Sequence, residues 1–280
     1  MGARPMSHSK LGLAGYWYCF RGVLLRELQR FLQQRTRFLS SLVRPLLWLV
    51  VFAAGFRAAL GIAIIPPYET YITYEVYIVP GLIGIIILFN GMQSSLSMVY
   101  DREMGSMRVL LTSPLPRGWL LLCKLLAGAI VSLFQVYAFL LVARLLDVTP
   151  PAIGYLAVLP ATVLGALMLG ALGLLLSSLI KQLENFAGVM NFVVFPLFFL
   201  SSALYPLWKM REASEWIYWI CAVNPFTHAV ELIRFALYGQ WNSMAFAVTA
   251  GTATLLTLGA IAGFDPGRGI LRRKTGGKPG

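Results

Sequence analysis

Residues 153–180 read IGYLAVLPATVLGALMLGALGLLLSSLI, a run of 28 positions without a charged side chain. A helix needs about 20 consecutive apolar residues to cross the hydrocarbon core of a bilayer, so this run predicts a transmembrane helix. The whole chain has the same character: 58% of its 280 residues are hydrophobic, 12% are charged, and the mean hydropathy is +0.74. A soluble fold cannot bury that much apolar surface, and we therefore expect an integral membrane protein.

Apolar stretches of similar length lie on both sides of this run. Together the stretches occupy 38–58, 78–99, 119–142, 153–180, 186–206 and 244–264. If all six cross the membrane, 18 Lys and Arg residues fall on one side and 5 on the other. Positively charged loops stay in the cytoplasm, so we expect an all-α membrane protein with six transmembrane helices and both termini cytoplasmic. The same rule accounts for the net charge of +12 without invoking nucleic acid.

The N-terminal segment 1–37 has a helical pattern of its own. An apolar stripe recurs with helical spacing at Leu13, Trp17, Phe20, Leu24, Leu28 and Phe31. The charged residues Arg21, Arg26, Glu27 and Arg30 lie off this stripe. Such an amphipathic helix either lies flat on the anionic inner leaflet or docks on a partner protein.

Two connections between spans also carry helical patterns. Residues 101–113 predict a short cytoplasmic helix that Asp101 caps and Pro114 ends. Residues 207–240 predict short helices that re-enter the outer leaflet, because tryptophans suited to the interface precede an amphipathic stretch after Asn224. The transmembrane domain therefore covers 38–264, and residues 265–280 form a basic cytoplasmic tail.

Several classes of function lack the residues that they need. None of the six predicted spans contains an acidic residue, so an ion-coupled transporter has no evident coupling site. The chain has no phosphate-binding loop, metal-ligand spacing or catalytic constellation, so we predict no enzyme, metal or cofactor site in it. The neutral polar residues within the spans either hydrogen-bond between helices or line a translocation path. They are Asn90, Gln93, Gln135 and Asn191.

Three motifs follow one another in a recognisable order. The loop after the second span carries Glu103, Gly105, Ser106, Leu110, Leu111, Thr112, Pro114 and Arg117, and Lys124 follows downstream. Pro80-Gly81 precedes this loop, and Asn224-Pro225 with Arg234 follows it. In this order the motifs resemble those of the type-2 permeases of ATP-binding-cassette (ABC) exporters. The resemblance covers essentially the whole chain.

The resemblance implies a homodimer in a bacterial inner membrane that binds two copies of a cytoplasmic ABC ATPase, which would hold the ATP and magnesium. It implies that the N-terminal helix is a connecting helix and that the 101–113 segment is a coupling helix. The residues implied to contact the ATPase are Asp101, Arg102, Glu103, Gly105, Ser106 and Arg108. Asn224, Pro225 and Arg234 would belong to an outer gate.

A narrower resemblance concerns residues 44–48, 65–71 and 182–186. These segments are similar to the permease subgroup encoded beside bacterial pyrroloquinoline-quinone-dependent alcohol oxidation systems. This similarity implies export linked to alcohol or aldehyde metabolism, and the short middle loops favour a small amphiphilic substrate. Two alternatives stay open, an ion-coupled secondary transporter and a membrane scaffold that docks an ATPase without transporting anything.

Overall fold

The computed structural model describes residues 13–33, 35–56, 66–68, 72–103, 115–180 and 183–263. Ten α-helices lie within these residues. They are α1 (Leu13–Gln33), α2 (Arg35–Phe56), α3 (Tyr74–Glu103), α4 (Arg117–Leu145), α5 (Ala152–Leu179), α6 (Leu183–Phe199), α7 (Leu207–Ala213), α8 (Glu215–Val223), α9 (Pro225–Leu237) and α10 (Ser243–Gly263). The all-helical class expected from the sequence is confirmed for this part of the chain.

Within the described residues, four helices are long and apolar enough to cross a membrane: Tyr74–Asp101, Gly118–Leu145, Ala152–Leu179 and Ser243–Gly263. They coincide with four of the six predicted spans. The other two predicted spans are also helical, but the described apolar part of α2 is Leu42–Val51 and α6 has only 17 residues. At 1.5 Å per residue α6 is about 26 Å long, against about 30 Å for the hydrocarbon core. Six spans therefore stay a prediction.

Two predicted boundaries are wrong. The stretch 186–206 was expected to be one helix, but α6 ends at Phe199 and residues 200–205 form a turn. Asp101 was expected to cap a new helix, but α3 continues through it to Glu103. Residues 104–114 lie outside the described residues, and with them Gly105, Ser106 and Arg108 of the predicted coupling helix. The basic tail 265–280 also lies outside them.

Helix α5 lies at the centre of the bundle and packs against α3, α4, α9 and α10. The residues of α5 are predominantly apolar, and glycines bring this helix close to α3. A Cβ added at Gly91 of α3 would lie 3.0 Å from the backbone nitrogen of Gly170, and one added at Gly173 would lie 3.0 Å from the carbonyl oxygen of Gly91. Small residues let transmembrane helices approach until their backbones are in van der Waals contact. This contact gives α3 a firm position against the rest of the bundle.

Helix α3 carries polar side chains at both of its ends. Tyr74 and Tyr77 lie in its first turn and Asp101 lies in its last. The 27 steps from Tyr74 to Asp101 span about 40 Å at 1.5 Å per residue, more than the hydrocarbon core of about 30 Å. Helix α3 is therefore long enough for its two ends to reach opposite faces of a membrane, and each end holds a candidate site.

Candidate functional site

At the C-terminal end of α3, five charged side chains join α1, α3 and α4. We call Arg26, Glu27, Arg30, Asp101 and Lys124 the charge cluster. The Nη2 atom of Arg30 lies 3.5 Å from Oδ1 of Asp101, and Nη2 of Arg26 lies 4.0 Å from Oδ2. Glu27 Oε1 lies 3.5 Å from Arg26 and 3.8 Å from Arg30. The cluster attaches α1 to the last turn of α3.

The local sequence explains this attachment. Arg26 and Arg30 are four residues apart, so they lie on one face of α1 and reach the same partner. Asp101 is only 6% exposed, and a buried carboxylate needs opposite charges beside it. The sequence analysis placed these arginines off the apolar stripe but did not pair them with Asp101, because periodicity shows which side of a helix is polar and does not show what that side meets.

Aromatic contacts fix the other half of α1. The indole N–H of Trp119 in α4 donates to the carbonyl oxygen of Tyr16 at 3.3 Å, and the two rings meet edge to face with centroids 5.4 Å apart. Trp17 on the predicted apolar stripe is 62% exposed. Helix α1 therefore packs through the Tyr16 face and leaves part of its stripe free for lipid or a partner.

We expect a charge exchange to reveal this attachment. Arg30→Asp should destabilise the protein by about 1 kcal/mol, and Asp101→Arg by about 3–5 kcal/mol because it buries a cation beside Arg26. The double variant should lose less than the sum of the two, because the pair is re-formed. Thermal unfolding of the four proteins measures the coupling. The same exchange in the exposed pair Lys209–Glu212, whose charged atoms are 3.3 Å apart, is the matched control and should show no coupling. Losses that simply add in the Arg30–Asp101 double variant would contradict the contact.

The polar residues within the spans do not share one surface. Asn90 Nδ2 donates to the carbonyl oxygen of Gly128 at 3.2 Å and to Oγ of Ser132 at 2.6 Å, so it ties α3 to α4. Gln135 is 3% exposed, whereas Asn191 lies exposed on α6. Of the two roles predicted for these amides, Asn90 performs interhelical hydrogen bonding.

At the opposite end of α3, the turn 200–205 is held by side chains from two helices. Tyr74 Oη donates to the carbonyl oxygen of Leu204 at 2.9 Å, and Tyr77 Oη donates to that of Ser202 at 2.9 Å. Arg234 of α9 donates from Nη2 to the same Ser202 oxygen at 2.9 Å. These contacts anchor the turn to both α3 and α9.

Arg234 itself is deeply enclosed. It is 2% exposed, it forms an ion pair with Glu231 one turn earlier in α9, and its guanidinium carbon lies 4.2 Å from the centroid of the Tyr77 ring. The rings of Tyr68 and Tyr238 meet nearby with centroids 4.7 Å apart. Burial raises the pKa of Tyr238 to about 12, so this phenol stays neutral beside the cation.

Asn224 connects the end of α6 to the start of α9. Its Nδ2 donates to the carbonyl oxygens of Leu197 at 2.9 Å and Leu200 at 2.6 Å, which the end of α6 leaves without helical partners. Its Oδ1 accepts from the backbone N–H of Phe226 at 2.9 Å and so caps α9. Pro225 occupies the first position of α9, where its missing N–H and fixed φ suit a helix start.

Gly81 allows α3 to touch the same turn with its backbone. A Cβ at this position would overlap the carbonyl oxygen of Ala203 and would lie 2.8 Å from its carbonyl carbon and Cα. One residue of each of the three motif positions, Gly81, Asn224 and Arg234, contacts the turn 200–205 although they are far apart in sequence. The sequence analysis missed Tyr74 and Tyr77, because nothing in their spacing marks them as donors to a distant turn.

Comparison with known proteins now identifies the chain. The sequence profile of the ABC-2 type transporter family matches residues 18–238, which include both ends of α3 and every motif described above. The chain belongs to this family. The family resemblance stated from the sequence is thereby confirmed.

Two of the relatives of this ABC-2 permease are themselves named as permeases. The protein ycf38 of Cyanophora paradoxa, named as a transport permease, is 30% identical over 222 residues, 76% of this chain and 72% of that protein. YbhR of Escherichia coli K12, named as a multidrug ABC transporter permease, is 31% identical over 195 residues, 67% of this chain and 52% of that protein. Nodulation protein J of Rhizobium leguminosarum bv. viciae is 22% identical over 214 residues, 76% and 80% of the two chains.

The family settles the coarse function. The chain is a multi-pass membrane permease of an ABC transporter rather than an enzyme, and the family implies an ABC ATPase as its partner. Of the six residues predicted to contact that ATPase, Asp101 is buried against α1. The side chains of Arg102 and Glu103 lie outside the described part of the structure. The other three predicted residues, Gly105, Ser106 and Arg108, lie outside it entirely.

Proposed function

We propose that this permease is the membrane subunit of an ATP-driven exporter, in which a homodimer binds two copies of a cytoplasmic ABC ATPase. The observation that carries the proposal is the attachment of α1 to the last turn of α3 through Asp101. The predicted coupling helix, residues 101–113, begins in this turn, and its residues from 104 onward follow it directly in the sequence. An ATPase that closes on ATP and pushes on α1 and the 104–114 segment would therefore move α3.

Helix α3 would carry that movement to the outer gate. Its far end touches the turn 200–205 through Gly81 and donates to it from Tyr74 and Tyr77. Packed helices move as rigid elements between discrete arrangements, so displacement at one end reaches the other. In this proposal Asn224, Pro225 and Arg234 hold the gate, and rocking of α3 opens it.

The proposed topology has six spans in a bacterial inner membrane with both termini in the cytoplasm. Helices α7, α8 and α9 form the re-entrant segment in the outer leaflet, and α6 is a short fifth span. Exposed indoles on α8 support this placement, because Trp216 is 82% and Trp219 57% exposed. Indole rings favour the membrane interface, where one side is apolar and the other is wet.

The homodimer is supported by an exposed amide on α6. Asn191 lies in the middle of this helix beside Phe192, which is 80% exposed, and Phe195, which is 50% exposed. An amide that faces lipid at this depth lacks hydrogen-bond partners, whereas a second copy of α6 provides them. The path would then run along the dimer interface near Asn191, with Gln93 as a further candidate lining residue. Of the other two candidates, Asn90 bridges α3 and α4 and Gln135 is buried, so they would support the helices beside the path.

The substrate class follows from the same reasoning. A small amphiphilic or hydrophobic molecule suits an apolar bundle with scattered neutral amides, and a relative named as a multidrug permease points in this direction. The subgroup resemblance adds the proposal that export serves alcohol or aldehyde metabolism. ATP and magnesium would be bound by the ATPase, and this chain would contact membrane lipid but no nucleic acid.

Copurification in mild detergent with the ATPase encoded beside this gene tests the assembly. We expect a stable complex of two permeases and two ATPases whose ATP turnover rises with one member of a panel of alcohols, aldehydes, lipids and dyes. A permease that purifies alone as a monomer would contradict the proposal and favour the secondary transporter. An ATPase that binds but is never stimulated by a transported compound would favour the scaffold.

A charge reversal next to the coupling segment tests the route of coupling. Glu103 lies in the last turn of α3, and we expect Glu103→Lys to abolish substrate-stimulated ATP turnover while the protein still inserts in the membrane. A bulky residue at Gly105 should do the same. Glu212→Lys, an equal charge change on exposed α7, is the matched control and should leave stimulation unchanged. Normal stimulation in Glu103→Lys would contradict the coupling role.

A further inference from the structure

A buried cation lines a cavity between α3, α4 and α5. Lys124 is 5% exposed, and its ammonium donates to Oγ of Ser97 at 3.0 Å. An ammonium carries three N–H donors, and in the described part of the chain this is the only hydrogen bond that Lys124 makes. Two donors of this buried charge therefore have no acceptor among the described residues.

The cavity beside Lys124 is small and polar on one wall. Glycines at 91, 128 and 170 leave the space open, and the hydroxyl-bearing residues Ser94 and Ser132 line it together with Lys124. It offers about 10 Å³ to the centre of a water molecule, which is roughly the room that a single water needs. The cavity therefore has room for one oxygen atom of a bound oxyanion beside Lys124.

The surrounding charges do not neutralise Lys124. The charge cluster contains three cations and two carboxylates, and both carboxylates form their ion pairs with Arg26 and Arg30. Glu27 and Asp101 attract Lys124 through space, but neither of them lies within ion-pair distance of it among the described contacts. An unpaired ammonium in a dry interior is costly, and a bound anion would offset this cost.

The depth of Lys124 suits the head group of an amphiphile. It lies seven residues inside α4, about 10 Å from the start of that helix at 1.5 Å per residue. Ser97, its partner, lies one helical turn before Asp101 in α3. This is the level at which head groups of the proposed inner leaflet meet the hydrocarbon core, and lysines extend toward that boundary.

We propose that the cavity at Lys124 binds the oxyanion of an amphiphile, a carboxylate or a phosphate, with Lys124 selecting the negative charge and Ser94 completing the contact. The inference rests on the proposed transport function, because it takes this amphiphile to be the transported substrate. A resident anionic phospholipid presents the same chemistry, and the experiment below separates the two sources.

Binding to the full-length permease in phosphatidylcholine nanodiscs, without ATP or ATPase, tests the site. We expect oleate to bind about tenfold more tightly than oleyl alcohol, which has the same chain without the charge. Lys124→Met should reduce oleate binding to the level of the alcohol, and Lys124→Arg should preserve it. Lys209→Met, which removes an exposed lysine on α7, is the matched control and should bind oleate like the wild type.

Competition with phosphatidylglycerol identifies the source of the anion. If added phosphatidylglycerol leaves the bound oleate in place, the anion is a substrate. If phosphatidylglycerol displaces the oleate, the anion is the head group of a resident lipid. Either result supports the anion site. Equal binding of oleate and oleyl alcohol by the wild type would overturn it, even if Lys124→Met could not be purified. Unchanged oleate binding in Lys124→Met would overturn it as well. Because no ATPase is present, these results are independent of whether the complex assembles.

Discussion

Replacing Arg234 by methionine is expected to destabilise the permease by about 3–5 kcal/mol, the usual cost of breaking a buried ion pair from one side. The change removes the donor to the Ser202 carbonyl oxygen and the cation above the Tyr77 ring. It also leaves Glu231, whose side chain is 19% exposed, without its partner. Unfolding in detergent, followed by temperature or denaturant, measures the loss.

A matched variant separates this loss from a general effect of removing an arginine. Arg211 is exposed on α7 and lies over the Tyr218 ring at 5.5 Å, so Arg211→Met should change the stability by less than about 0.5 kcal/mol. Adding Glu231→Gln to Arg234→Met should recover part of the stability, because the uncompensated carboxylate is then neutral. An Arg234→Met protein as stable as Arg211→Met would contradict the anchoring role of Arg234.

The sequence was most informative where local rules decide the structure. Long apolar stretches predicted four spans whose described helices begin and end within about four residues of the expected positions. The Asn-Pro pair at 224–225 predicted the start of an amphipathic helix, and α9 begins at Pro225. In both cases neighbouring residues carry the information, as a helical period, the length of an apolar stretch or a helix-capping residue.

The errors arose where a distant partner decides the structure. Helix α6 ends at Phe199 although the predicted stretch continues to 206, and Asn224 from a later segment satisfies the carbonyl oxygens that this ending leaves open. Asp101 continues α3 because its carboxylate meets arginines of α1, far away in sequence. Hydrophobic periodicity is a property of one segment, so it does not contain these pairings.

Replacing Gly81 by alanine is the second large effect that we expect, about 3 kcal/mol of lost stability, at the upper end of what overpacking costs. The new methyl group would overlap the carbonyl oxygen of Ala203, which is backbone and cannot move aside like a flexible side chain. The turn 200–205 would have to move away from α3, and the hydrogen bonds from Tyr74 and Tyr77 would lengthen with it.

Gly251 provides the control for this substitution. It lies in the interior of α10, and a Cβ added there meets no atom within 4 Å, so Gly251→Ala tests the same chemical change without the clash. It should be neutral, or stabilising by about 0.5–1 kcal/mol, because alanine favours a helix more than glycine does. If the Gly81→Ala protein unfolded at the same temperature as Gly251→Ala, α3 would not touch the turn. The proposed route from the charge cluster to the outer gate would then lose its last step.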